Sequence, residues 1–320
     1  MTDQHLFDSD IQAQHNKVKD TDLGKLIISS RRIAQKQAEV LVKVSSYGKG
    51  RDRVAAHLKY ISRDNDLPLE DPTGNRLESR QEQDELLDHW YADADTRKNA
   101  RTTAHIVLSA PADSNRLDVE EAARRFARKR FADNHDYLFA MHSDTDHPHA
   151  HLVVKLRGYD GEKLRLGKKA LFELREHFAE SLRSVGIAAT ASYRSQRGVG
   201  RKAESQPLRH MKSKGVIPEV EKQALAEAVA DLKGQKTARP WEDALRRRFE
   251  KTQAGYRELA NTVRGQGSEA AESIARELET YAASMAAPKT RHEELKSAIL
   301  QKARATRRQQ AESTRADPER

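Results

Sequence analysis

From residue 37 to about residue 194 the chain mixes short runs of apolar and polar alternation with longer runs of helical period; beyond that only the helical period remains. Residues 38–46 (AEVLVKVSS), 102–109 (TTAHIVLS), 137–142 and 149–157 alternate as half-buried strands. A Gly158-Tyr159-Asp160-Gly161 turn leads into residues 162–166, which are expected to close a hairpin with 149–157. Helical spacing marks residues 51–63, where Val54, Leu58 and Ile61 recur, and also 80–93, 119–132 and 168–185. Residues 65–79 are rich in turn formers and read as a loop. Strands and helices in this order, with hairpins, predict an α+β fold: an antiparallel sheet with helices packed on one face, followed by an all-α extension.

The flanks read differently. Residues 1–36 are polar apart from a short apolar stretch around 23–28, and are expected to be a mobile arm. Residues 37–200 hold the strand-bearing domain, 201–218 read as a linker, and 219–320 form a basic helical region. Within it, helices are expected over 219–233, 241–263, 268–284 and 290–308, with residues 304–320 as a solvated tail.

Charge narrows the partners. With 58 Lys and Arg against 49 Asp and Glu the net charge is +9, which favours an anionic partner, most commonly nucleic acid, while charge alone leaves acidic membranes open. No segment approaches the roughly 20 apolar residues of a membrane helix, and residues 1–17 lack the order of a signal peptide, so a cytoplasmic start without membrane insertion is expected. The absence of cysteine excludes disulfides, iron–sulfur clusters, thiolate zinc and a cysteine nucleophile.

The densest chemistry lies in residues 142–151, HSDTDHPHAH, with four of the chain's 13 histidines and two aspartates. Alternation in the following strand sends His149 and His151 to one face and Ala150, Leu152 and Val154 to the other. With His142 from the preceding segment, these make three imidazole ligands for a divalent ion. Asp144 and Asp146 fit either direct binding or a place behind the imidazoles that orients them; His147, ahead of a proline, stands behind the ligands or points away. Three histidines suit zinc, but they also leave positions for water and phosphate oxygens on magnesium or manganese (Mg2+ or Mn2+). No Walker loop, glycine-rich dinucleotide turn or Ser-His-Asp spacing accompanies them. Tyr60, in HLKYISRDND, reads by itself as an amphipathic tyrosine at a helix end, although His57, Lys59 and Arg63 around it would suit a phenol that acts as a nucleophile.

The segment around Tyr60, the AHIVLSAP stretch and HSDTDHPHAHLVV, in that order, resemble the three motifs of conjugative DNA relaxases of the HUH class. The likeness is to the P-type mobilisation branch that includes the T-DNA border endonuclease. It runs from about residue 39 to 201, with lesser matches at LLDHW and SYRSQRG. It implies that residues 37–200 are a relaxase domain nicking single-stranded DNA at an origin of transfer. Tyr60 would attack the scissile phosphodiester, leaving a 5′-phosphotyrosyl bond and a free 3′-hydroxyl. His149 and His151 would be the paired metal ligands, His142 the third, Asp144 the acid beside the site, and Ser109 a contact near the nick. The implied partners are an accessory relaxosome protein, a coupling protein and a type IV secretion machinery, which would carry the chain with its strand into a recipient cell.

The cations read as the phosphate track are Lys59, Arg63, Arg124, Arg125, Arg128, Lys129 and Arg130, with Lys59, Arg63, Arg125 and Lys129 foremost. Two alternatives stand beside this reading. One is a rolling-circle replication initiator, disfavoured because Tyr60 precedes the histidine cluster and no helicase motif is present. The other is a non-enzymatic, metal-stabilised DNA-binding protein.

Overall fold

The computed structural model describes residues 22–92, 100–199, 204–235 and 238–316. The chain divides into two compact units: Gln35–Ser192, and a second made of the segments on either side, up to Ala34 and from Tyr193.

The first unit is built on a six-stranded sheet. Its strands are β2 (Leu41–Gly48), β3 (Leu69–Glu70), β4 (Arg76–Leu77), β5 (Thr103–Ser109), β6 (Tyr137–His142) and β7 (His149–Lys155). They lie in the order β2-β5-β7-β6-β3-β4, and every pairing is antiparallel. A separate parallel pair joins β1 (Ala38–Glu39) to β8 (Ala189–Thr190). Helices α2 (Arg51–Ile61), α3 (Arg80–Tyr91), α4 (Arg116–Phe131) and α5 (Lys168–Ser184) complete the unit. Local chemistry sets their starts: Ser79 and Glu82 form a reciprocal capping box for α3, and the Asn115 side chain accepts from the first amides of α4.

The expectation of helices on one face is corrected, because helices cover both. On one side α4 and α5 bring Phe126, Phe131, Phe178 and Leu182 against Val42, Ile106, Phe139 and Leu152. On the other, α2 and α3 bring Val54, Leu58, Ile61, Leu87 and Trp90 against Leu138, Ala140 and Val153. The cause is legible in β6, where YLFAM is apolar at both parities and every residue from Tyr137 to His142 is buried. Two smaller expectations also change. Residues 65–79 contain the β3–β4 pair, and residues 162–166 add no strand: a lone bridge joins Arg157 to Lys163, while Leu164 and Leu166 pack against the core.

The second unit is helical. It contains α1 (Asp22–Ala34), a 3-10 turn over Arg194–Arg197, α6 (Gln206–Ser213), α7 (Glu219–Leu232), α8 (Pro240–Arg264), α9 (Glu269–Ser284) and α10 (Arg291–Ala316). The mobile arm expected over 1–36 is therefore helical from Asp22; its residues 1–21 lie outside the described residues. Ile27 and Ile33 are buried with Tyr256, Leu259, Val263, Ala275 and Leu278, and Arg31 binds Glu277 through two hydrogen bonds of 2.9 Å. An isolated 13-residue helix is marginal in water, so this packing is what holds α1 in place. The linker expected over 201–218 is helical at 206–213, with 201–203 outside the described residues, and Tyr193–Val199 fall with the helices. The expected tail is helical to Ala316, residues 317–320 lying outside the described ones, and residues 301–310 are exposed. Among the described residues no helix is long and apolar enough to cross a membrane.

One glycine fixes how closely α2 approaches the sheet. A Cβ on Gly48, the last residue of β2, would stand 2.2 Å from Thr103 Oγ1 and 2.5 Å from Val54 Cγ2 of α2. Gly48→Ala is expected to lower stability by about 1–3 kcal/mol through overpacking, read as a lower midpoint in urea unfolding. An unchanged midpoint would mean that α2 rides farther from β2 and β5.

Candidate active site

The site lies on the face of the sheet that α2 covers. In the β6–β7 ladder His142 and His149 are direct partners, and His151, two residues along β7, faces Ala140 on one side and Val107 on the other. All three rings therefore emerge on one face, as alternation requires, while Ala150, Leu152 and Val154 sink into the core on the other. Each offers a nitrogen within 4.8 Å of the other two.

Carbonyl groups orient two of these rings. His142 Nε2 lies 2.7 Å from the carbonyl oxygen of Ile61, at the end of α2, and His149 Nδ1 lies 3.0 Å from that of His147. A carbonyl only accepts, so in the neutral ring each of these nitrogens carries the hydrogen. The lone pairs are left on His142 Nδ1 and His149 Nε2. Burial pushes the His142 ring below its usual value, outweighing the Ile61 bond, and pushes His151 down to about 3, helped by its imidazole neighbours. Imidazoles aimed by a carbonyl at one nitrogen, with the other nitrogen turned to a common point, are donors that a divalent ion takes. The three residues fit such an ion.

Tyr60 stands over the trio. It lies on the last turn of α2, is 58% exposed, and meets the His151 ring edge-on with centroids 6.1 Å apart. The Arg63 guanidinium carbon is 5.9 Å from the Tyr60 ring centre. Arg63 also hydrogen-bonds Asp144, and the same nitrogen lies 3.5 Å from His142 Nδ1. To reach this place the chain turns sharply after α2, with Arg63, Asp64 and Asn65 all left-handed at φ of 53°, 58° and 74°. Desolvation pushes the Asp144 carboxyl up, but its own amide and Arg63 outweigh this and hold it below the usual carboxylate range.

The remaining expected residues divide into two groups. Ser109 is at the site, opposite His149 in the β5–β7 ladder. His147 supports His149 with its carbonyl, while its ring turns to the Ala110 carbonyl at 3.2 Å; Asp146 is exposed. Lys59 is on α2 but pairs with Asp64 at 3.0 Å, and lines a hollow with Arg51 and Arg80 on the flank of the helix. The α4 cations are elsewhere. Arg125 pairs with Glu121 at 2.7 Å, Lys129 with Glu180 at 3.3 Å, and Arg124 with Glu70, Glu120 and Glu121. Their helix packs on the opposite face of the sheet from the histidines. The sequence reading saw a basic helix face and not the carboxylates that neutralise it.

One member of the site escaped that reading altogether. His105, 4% exposed on β5, stacks against His57 of α2 with centroids 3.7 Å apart. Burial lowers both rings, His57 to about 4 and His105 to about 3, so at neutral pH no repulsion opposes the stack. The signal was present: in the alternation of TAHIVLS the parity of Ser109 is also that of His105.

Residues 60–187 match the family model described as Relaxase: MobA/VirD2-like, nuclease domain. The T-DNA border endonuclease VirD2 of Rhizobium radiobacter is 28% identical over 207 residues, 56% of this chain and 49% of the relative. The VirD2 of Agrobacterium fabrum is 28% identical over 186 residues, covering 51% and 41%. The chain thus spans about half the length of the curated relatives it matches. A solved structure described as "Molecular Basis of Vancomycin Resistance Transfer in Staphylococcus aureus" aligns with a TM-score of 0.36 and 16% identity, over 49% of this chain and 100% of that one. The segment that carries Tyr60 and the three histidines is similar in sequence to the nuclease domain of MobA/VirD2-like relaxases.

Proposed function

We propose that the chain is a site- and strand-specific DNA relaxase that nicks single-stranded DNA at an origin of transfer. The observation that carries this reading is an exposed tyrosine set edge-on against one of three convergent imidazoles. The Tyr60 oxygen attacks phosphorus, a phosphotyrosyl bond to the 5′ end forms, and the bond to the 3′ oxygen breaks. The phenol gives up its proton and the departing oxygen gains one, so the strand ends in a 3′-hydroxyl. Because one ester replaces another, the reverse step rejoins the ends without ATP.

His142, His149 and His151 would hold a divalent ion, Mg2+ or Mn2+, whose charge offsets the negative charge growing on the phosphate oxygens. The carbonyls of Ile61 and His147 keep two of those rings aimed, and Asp144 steadies Arg63 beside the tyrosine. Arg63, Lys59 and Ser109 would contact the strand on the α2 side of the sheet. An accessory relaxosome protein, a coupling protein and a type IV secretion system complete the proposal, with residues 219–320 (α7 to α10) as the region that meets them or carries the secretion signal. Work in the donor cytoplasm and passage with the attached strand follow from that role.

The test uses the full chain with single-stranded oligonucleotides tiling the replicon that encodes it, in magnesium or manganese, read on denaturing gels. A covalent adduct is expected that is lost in Tyr60→Phe and on chelation by EDTA; an adduct surviving in Tyr60→Phe moves the nucleophile elsewhere, and none under any metal favours a binding module. His149→Ala or His151→Ala should lower cleavage at least ~100-fold, as loss of a group stabilising transition-state charge does. DNA affinity should largely remain, since phosphate contacts are spread over many residues. Equal loss of both would mean that the histidines hold the fold. For the strand path, Arg63→Ala should weaken oligonucleotide binding and flatten its salt dependence, whereas Arg125→Ala and Lys129→Ala should leave both near the starting value. The opposite ranking in a fluorescence titration would return the path to α4.

A further inference from the structure

Two imidazoles outside the trio form a wall beside the tyrosine. His105 engages both ring nitrogens, Nδ1 with Ser46 Oγ at 2.8 Å and Nε2 with Thr103 Oγ1 at 3.1 Å. A neutral imidazole has one N–H and one lone pair, so one hydroxyl accepts and the other donates, and the ring is fixed in its plane. Ser46 reaches it because the β2–β5 register shifts between Val44 and Ser46, which makes Ser46 the partner of His105. The narrow approach at Gly48 keeps α2 close to this spot, 3.2 Å separating its hypothetical Cβ from His105 Nε2.

His57 transmits that rigidity. Its ring lies 2° from parallel with His105, and Tyr60, one turn later on α2, stands at 6.1 Å between centroids and 28° between planes. Tyr60 then meets His151 at 86°. The order Ser46, His105, His57, Tyr60, His151 is thus a continuous row from a fixed strand to the metal-fitting trio. An exposed tyrosine on a helix otherwise samples several rotamers, and ordering it before reaction removes that entropy from the chemical step.

We propose that His57, braced by His105, is a positioning residue that holds the Tyr60 ring over the histidine trio. The inference rests on the relaxase reading for its consequence in rate, while the geometry of the row stands apart from it. Phenylalanine at 57 keeps a flat wall and removes the nitrogens, whereas alanine removes the wall.

The experiment compares His57→Ala and His57→Phe in the full chain by two readouts. The first is single-turnover cleavage of the oligonucleotide that yields the adduct. His57→Ala should slow it roughly ten- to hundred-fold with DNA affinity unchanged, the scale expected for a misplaced reacting group, and His57→Phe should recover most of the rate. The second is the fluorine resonance of residue 60 in chain labelled with 3-fluorotyrosine, assigned by its loss in Tyr60→Phe. It should sit away from the free-tyrosine position in the unaltered chain and in His57→Phe, and move to it in His57→Ala. A resonance that stays put in His57→Ala overturns the proposal; so does a His57→Ala rate equal to that of the unaltered chain, or a His57→Phe variant as slow as the alanine. Should the unaltered chain cut no oligonucleotide, the relaxase reading fails separately and the resonance alone decides whether His57 holds the ring.

Discussion

The register of β6 against β7 is the constraint on which the site depends. Side chains alternate with a period of two, so the pairing of His142 with His149 is what puts three imidazoles on one face. A slip of one residue would turn a ring into the apolar layer beneath α4 and α5 and raise a hydrophobic residue in its place. The protection against slippage is the burial of both faces: Tyr137, Phe139 and Met141 are committed to one cluster, Leu138 and Ala140 to the other. The polar site is aligned by the apolar residues that alternate with it along the same strands.

Around that alignment the orienting groups are mostly backbone. Ile61 and His147 contribute carbonyls, so the aim of two ligand rings is set by where α2 ends and by how the loop before β7 folds. This ties Tyr60 to the trio twice, once through the tyrosine ring and once through the helix end next to it. Arg63 adds a third tie by joining that same helix end to Asp144. Substitutions in α2 are therefore felt at the histidines even where the side chain is remote.

Much of this was legible in the sequence, and the failures have physical causes. Alternation in HAHLVV correctly separated His149 and His151 from the buried residues, because strand parity is a local property. The antiparallel sheet and most helix limits followed from the same periodicities. His105 was passed over because a lone histidine in an apolar run gives no sign of what lies across from it, and its partner His57 is 48 positions away in sequence. The placement of helices on both faces was hidden for a related reason: alternation was read as half-burial in strands whose two parities are both apolar. On α4 the basic face was real, but Glu70 and Glu180, supplied by other elements, cancel much of it. Long-range partners, not local propensity, separate the reading from the structure.

The packing of α1 has a consequence for how the chain is made. Ile27 and Ile33 find their apolar partners about 220 residues downstream, on α8 and α9, so at roughly 5–20 residues per second the helix waits ~10–45 s on the ribosome for them. The sheet unit, whose contacts are all encoded in between, is complete by then. Biogenesis is therefore ordered from the middle outward: the sheet unit forms while the segment ahead of it is still a bare amphipathic stretch, and only the arrival of residues 256–282 gives that stretch a home.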